Sequence, residues 1–244
     1  MSWTIGGAIV SFILSVIAIV ANFVDMGTFG DFMINYSYIF HFVTALGMVT
    51  LFMFVDFNTI SPGANDNLTG TYAAVCALRM LDMAGVDFEN TEVCAMITDG
   101  EEAGLRGCKS WAKNHYDEYV NSGVETVVLC VDTLTDREYL RVYNKDMTGT
   151  VKNNQQFSQL VMDASKDAGH DDIELSSVFF GSSDAAAFSQ AGITATCLAA
   201  MDPRPADYYH NRRDTADRLV PETIKTGFDV IISTILNFDE KGLN

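Results

Sequence analysis

Two adjacent glutamates in ITDGEEAG (97–104), Glu101 and Glu102, are the residues whose types and placement most suggest chemistry in this chain. Neighbouring side chains in a loop point in different directions, so one can hold a metal cation while the other faces the cation's water. Asp66 in SPGANDNLTG (61–70), Asp132 at the end of ETVVLCVD (125–132) and His210 in YYHNRRDTADRL (208–219) extend the set. Carboxylates with one imidazole make the mixed oxygen and nitrogen donor set that zinc accepts. Zinc lowers the pKa of bound water to about 7, and a carboxylate beside it can take the next proton. The chemistry on offer is metal-assisted hydrolysis. Asp214, four residues beyond His210, is placed to fix the other ring nitrogen or to cap the following turn. Taken singly, each residue also has an ordinary role. Asp66 would cap a helix, the Glu101–Glu102 pair would favour a helix N-terminus, Asp132 would be a solvated strand end and His210 a surface histidine.

The elements around these residues decide between the two readings. Ala73, Ala74, Ala77, Leu78 and Leu81 share a helical face within 68–83. TEVCAMIT (91–98), ETVVLCVD (125–132), EYLRVYN (138–144), a short run near Ile173 and ITATCLAA (193–200) read as strands. Helices are expected at about 105–120, 154–168, 184–191 and 221–238, the last with Pro221 at its first position, where a missing N–H costs nothing. Alternating strands and helices predict a three-layer α/β sandwich around a mostly parallel mixed sheet. In such sheets, chemistry gathers in loops past the carboxyl ends of strands. DGEEAG, Asp132 and the YYHNRRDTAD loop all fall there.

The first quarter of the chain differs in texture. Thr4–Val24 and Tyr38–Val55 carry no charge, and the first is long enough for the ~30 Å hydrocarbon core of a bilayer. These residues predict a transmembrane hairpin over 1–56, with helices at about 4–24 and 38–55, ahead of an α/β domain over 57–244. The implied location is a multi-pass membrane one, with lipid as a partner. No Lys or Arg precedes Arg79, so the positive-inside rule leaves the orientation open. A net charge of −17 argues against a nucleic-acid partner. The five cysteines contain no CxxC pair, which predicts buried free thiols rather than a thiolate zinc site.

SPGANDNLTGTYAAVCALRML, ITDGEEAGLRGCKSWAKNH, VDT, FFGSSDAAAF with AGITA, and YYHNRRDTADRL resemble, in order, successive blocks of the co-catalytic zinc aminopeptidases. That family comprises the bacterial leucyl aminopeptidases, with glutamate carboxypeptidase and the transferrin receptor as relatives. The resemblance covers about residues 60–238 and implies a zinc-exopeptidase fold and a two-zinc aminopeptidase acting on peptides. Through it, Asp66 matches the carboxylate bridging both ions, Glu101 the general base, Glu102 and His210 ligands of one zinc, and Asp132 a ligand of the other.

The family's earlier H-x-D block has no counterpart. His41, in IFHFV, has no aspartate two residues on, and Ala185 stands where relatives often have histidine. One zinc site is therefore expected to be complete (Asp66, Glu102, His210), while the other retains Asp66 and Asp132 alone. An upstream segment or a partner chain is expected to complete the sheet, whose first strands are missing. Two further readings follow from the resemblance: a non-catalytic membrane receptor or scaffold, and a single-zinc acyltransferase like glutaminyl cyclase.

Overall fold

The computed structural model describes residues 2–53, 60–179, 181–204 and 206–243. The chain divides into two compact units, Met1–Ile60 and Ser61–Asn244. The first holds α1 (Ser2–Ala21), α2 (Gly27–Asn35) and α3 (Ser37–Met53). The expected hairpin loop thus contains a helix of its own, α2, and residues 54 and 55 of the second expected span lie outside the described residues. Among those residues, no single helix is long and apolar enough to cross a membrane; one bent pair, Gly27–Asn35 with Ser37–Val49 at 53°, meets length and composition together.

Within this unit, polarity is inverted relative to a water-soluble core. Ser11, Ser15 and Ala18 are buried, while Ile9, Val10, Phe12 and Ile13 are each more than half exposed. Ser11 donates to the Phe40 carbonyl at 2.7 Å, and the Ser15 and Thr44 hydroxyls lie 3.2 Å apart. Small and hydroxyl side chains let α1 and α3 approach closely and bond across the seam.

The second unit is built on β1 (Val127–Asp132), β2 (Leu140–Asp146), β3 (Val151–Lys152), β4 (Leu175–Ser177) and β5 (Thr194–Ala200). Their order is β1-β5-β2-β3, with β4 pairing β2 on its other side. Its helices are α4 (Gly70–Met83), α5 (Arg106–Tyr119), α6 (Gln155–Asp167), α7 (Asp184–Gln190) and α8 (Pro221–Lys241). Alternation along β5 divides them into two layers. Leu198 and Ala200 join Ala73, Ala77, Phe157, Val161, Val230 and Ile231, so α4, α6 and α8 cover one face. Ala195, Cys197 and Ala199 join Cys108, Ala112 and the 185–188 stretch, so α5 and α7 cover the other. Because both faces are covered, β5 is apolar almost throughout. At its start α6 is capped by Asn154, whose side-chain oxygen accepts from Phe157 N at 2.8 Å.

Three expectations need correction. The sheet is mixed, as expected, but not mostly parallel: β1·β5 and β2·β4 are parallel, β2·β5 and β2·β3 antiparallel. TEVCAMIT (91–98) is not a strand; it is β-like in composition but has no hydrogen-bonded neighbour among the described residues. All five cysteines are free, but only Cys108 and Cys197 are buried; Cys76 and Cys94 are exposed. The short β3, a two-residue strand, has no legible sequence signal.

Candidate metal centre

Asp66 lies in a distorted turn, Ala64–Thr69, where its φ/ψ of −110°/92° leaves the helical region. Asparagines flank it and turn opposite ways. Asn67 donates to the Val131 carbonyl at 2.9 Å, and its oxygen accepts from Gly70 N at 3.0 Å and Thr133 N at 3.3 Å. Asn65 is buried; its oxygen accepts from Thr135 N at 3.1 Å, and its amide donates to the Tyr208 hydroxyl at 3.4 Å. The turn is thereby sewn to the chain leaving β1, which holds Asp66 beside the strand end that carries Asp132. The N–H of Leu134 donates to Thr69 Oγ1 at 3.1 Å and adds another stitch.

Close approach at this seam requires glycine. A Cβ on Gly70 would fall 2.2 Å from the Val131 carbonyl oxygen and 2.5 Å from Asn67 Oδ1. Gly70→Ala is expected to force backbone shifts costing about 1–3 kcal/mol. A lowered urea midpoint with unchanged slope would show this.

Asp214 occupies a different place from the one its position near His210 suggests. Its carboxylate is 1% exposed and accepts from Asn65 N at 2.8 Å and Asp66 N at 3.0 Å. Its carbonyl also accepts from Ala64 N at 3.2 Å. It positions the Asp66 turn and makes no bond to the imidazole.

Glu101 and Glu102 sit in the loop before α5. The Glu101 carbonyl accepts from Gly104 N and Leu105 N at 2.8 and 2.7 Å, and Gly107 N donates to the Asp99 carbonyl at 3.0 Å. His210 arrives with a left-handed φ of 54°, its ring stacked on Tyr209 with centroids 3.7 Å apart. Its Nε2 lies 3.2 Å from Asp66 Oδ2 and 2.9 Å from Glu102 Oε1. One ligand atom from each of Asp66, Glu102 and His210 lies within 4.8 Å of the others.

Asp132 stands outside that triad but within its field. Burial raises its carboxyl pKa well above the usual range, with Asp66, Glu101, Asp184 and Glu102 adding to the effect. Although the residue as a whole keeps some exposed surface, Oδ1 is sealed from solvent and has no hydrogen-bond partner. Asp184 shares this feature: its Oδ1 is sealed and unpartnered, while Oδ2 accepts from Thr98 Oγ1 at 3.1 Å. An acidic group is expensive to enclose without a donor, and five carboxylates gathered around one imidazole call for a cation. The residues present fit zinc.

Burial, then the Glu102, Asp184 and Asp66 carboxylates, push Glu101 up to about 7, a value suited to proton exchange at neutral pH. Hydrogen bonds to Asp66 and Glu102 push His210 up to about 10 against the opposing effect of burial. In the metal-free protein the imidazolium therefore contributes stability that is complete below its ordinary value near 6.5 and fades as pH rises through about 10. A cation ligated by this ring must displace that proton. Zinc titration at pH 8 is expected to release close to one proton per ion, read as a dependence of calorimetric heat on the buffer's ionisation enthalpy.

Sequence reading missed Asn65, Asn67, Tyr208, Tyr209 and Asp184. The alternation N-D-N was the available signal for the first two, since an asparagine side chain can both donate to and accept from backbone.

The fold and the site define a class. The peptidase family M28 model matches residues 48–235, and this chain belongs to that family. Aminopeptidase YwaD of Bacillus subtilis (strain 168) is 27% identical over 194 residues, covering 72% of this chain and 37% of that protein. The aminopeptidase from Aneurinibacillus sp. strain AM-1 superposes with a TM-score of 0.60 at 22% identity, over 72% of this chain and 39% of that one. An Acidobacteriales bacterium glutaminyl cyclase gives 0.55 at 16% identity, over 74% and 63%. The two structural likenesses establish the α/β fold alone. This chain spans about 37% of the length of the curated aminopeptidase it matches.

Proposed function

We propose that this chain is a membrane-anchored zinc metallopeptidase that removes N-terminal residues from peptides. The observation that carries the reading is His210 Nε2 held 3.2 and 2.9 Å from the Asp66 and Glu102 carboxylates, in the loop neighbourhood of Glu101. Asp66, Glu102 and His210 would hold one ion, and Asp66 with Asp132 would contribute ligands to a second. Zinc there would supply Lewis-acid polarisation of the scissile carbonyl and a more acidic water. Glu101 takes a proton from the attacking water and returns it to the leaving amine. The surrounding carboxylates complement the ammonium of a free peptide N-terminus. Asp214, Asn65 and Asn67 keep Asp66 in place.

Anchoring rests on the inverted first unit. Buried Ser11 and Ser15 with exposed Phe12 and Ile13 suit acyl chains outside and a hydrogen-bonded seam inside. Purified protein in detergent is expected to bind zinc and to hydrolyse aminoacyl anilides. Stoichiometric zinc without turnover would count against the peptidase reading.

One observation favours a second reading. Among the described residues only three ligands converge, as a single-ion site would require, and a glutaminyl cyclase shares the fold. Cyclisation of an N-terminal glutamine peptide in place of hydrolysis would select it. A folded, metal-free protein would instead indicate a receptor or scaffold.

A further inference from the structure

Arg106, Lys109, Lys113 and Tyr116 follow one another along α5 at spacings of three and four residues, so they form a single stripe beside the buried face of the helix. All three cations are exposed, and none meets a carboxylate among the described residues. In a chain with 15 basic and 32 acidic residues, cations elsewhere do find partners. Asp207 takes both Arg213 and Arg218, Asp229 takes Lys225 and Asp163 takes Lys166. Beside the stripe, α5 and α7 enclose a cavity of about 440 Å³, with Lys109, Lys113 and Tyr116 on one wall and Ala187 and Gln190 on the other. No carboxylate lines it among the described residues. Its polar groups are donors with little to donate to. The Lys113 ammonium and the Tyr116 hydroxyl have no partner among the described residues. Gln190 Nε2 donates at 3.2 Å to the sulfur of Met147, a weak acceptor, and Lys109 donates at 3.0 Å to the Gly104 carbonyl. A Cβ on Gly192 would lie 3.5 Å from the Tyr116 hydroxyl, which sets that group beside the turn after α7.

We propose that this cavity binds an organic phosphomonoester, with the phosphate between Lys109, Lys113 and Tyr116 and the carbon body against Ala112 and Ala187. The charge and valence of the walls select the phosphate. Two ammonium groups and a hydroxyl call for about two negative charges and three acceptor oxygens, which a phosphomonoester carries near neutral pH. A carboxylate brings one charge and two oxygens. Lys109 and Lys113 stand one helical turn apart, about 5–6 Å between their Cβ atoms, so two flexible side chains can close on one tetrahedral group. Lysine binds phosphate in this way, as a point charge. Size selects the body. A cavity of about 440 Å³ falls in the range of about 300–1,000 Å³ that small organic ligands fill, and Ala112, Ala187 and Ala191 give it an apolar lining. On binding, Lys109 exchanges a neutral carbonyl for a charged acceptor, the stronger of the two bonds. The site is separate from the metal centre and does not depend on the metallopeptidase reading. A soluble phosphomonoester and the headgroup of phosphatidic acid present the same chemistry to it.

Equilibrium dialysis of phenyl phosphate against the full chain in detergent tests this. One molecule is expected to bind per chain, equally with zinc present and after chelation. Lys109→Gln and Lys113→Gln are each expected to weaken binding about tenfold, and Tyr116→Phe by less. Lys166→Gln, which removes an exposed lysine already paired with Asp163, leaves it unchanged. Benzoate, with the same ring and a single charge, is expected to bind about tenfold more weakly than phenyl phosphate. Displacement of the probe by phosphatidic acid in the micelles, and not by phosphatidylcholine, would assign the site to a lipid headgroup. Binding that phosphatidic acid does not displace would assign it to a soluble phosphomonoester. No retention of millimolar phenyl phosphate would overturn the proposal, as would equal affinity in the two lysine variants. Binding that appears only with zinc would place the phosphate on the metal and overturn it too.

Discussion

Glu101→Gln is expected to bind zinc as tightly as the unaltered protein and to lose about 100- to 10,000-fold in kcat, the range over which a positioned general base acts. The amide keeps the size of the side chain and the loop contacts, which are made by the Glu101 carbonyl rather than its carboxylate. What disappears is a group that can accept a proton near pH 7. The pH profile provides a second readout. With Glu101 up at about 7 in the metal-free site, a nearby cation favours its ionised form, so the acidic limb of kcat/KM is expected below that value. That limb should vanish in the residual activity of the variant. If Glu101→Gln retained full activity, the proton acceptor would lie elsewhere, and the enclosed Asp184 carboxylate would be the next candidate. Zinc content by mass spectrometry separates a lost base from a lost ion.

Asp214→Ala is expected to have the second large effect, through stability and metal affinity together. Its carboxylate is 1% exposed and accepts from two successive backbone N–H groups. Hydrogen bonds to a charged acceptor contribute about 1.5–3 kcal/mol each, so losing both costs about 3–5 kcal/mol and lowers Tm by about 10 °C. The N–H groups of Asn65 and Asp66 would be left buried or forced to reorient, taking the Asp66 carboxylate with them. Groups that orient ligands typically alter metal affinity about 10- to 100-fold. Asp214→Asn keeps one acceptor oxygen and should fall between. Thermal unfolding in the presence of chelator isolates the structural part; zinc titration then isolates the effect on the site. An unchanged Tm would mean that the turn is held by its asparagines alone.

These two residues mark what the sequence points to and where its reach stops. Glu101 stands out in the sequence through its pairing with Glu102, and the resemblance of ITDGEEAG to a family block is what implies its role as general base. For Asp214 the local sequence offers two roles, holding the ring of His210 or capping the following turn, but the partners of its carboxylate lie 149 and 148 positions away. Nothing in the local sequence distinguishes these outcomes, since a carboxylate accepts equally from an imidazole and from a peptide N–H. The segment 91–98 shows the complementary error. Val93, Ile97 and two threonines favour extended backbone, but a strand also requires a hydrogen-bonded neighbour, which propensity does not supply. Helix α6 was easily read because its apolar face and its cap, Asn154, are encoded within a few turns.

Periodicity and residue type in the chain alone settle the alternating α/β architecture, the apolar first quarter and the identities of the acid and imidazole groups, and the order of its blocks carries the resemblance to a peptidase family, because each is a local or ordered property. Convergence belongs to the tertiary structure. The sheet's mixed pairing, the stitching of the Asp66 turn to β1, the seat of Asp214 and the meeting of His210 with Asp66 and Glu102 depend on contacts between residues far apart in sequence. Such contacts form only when the two apolar faces of β5 are both covered and the loops at its end are brought together.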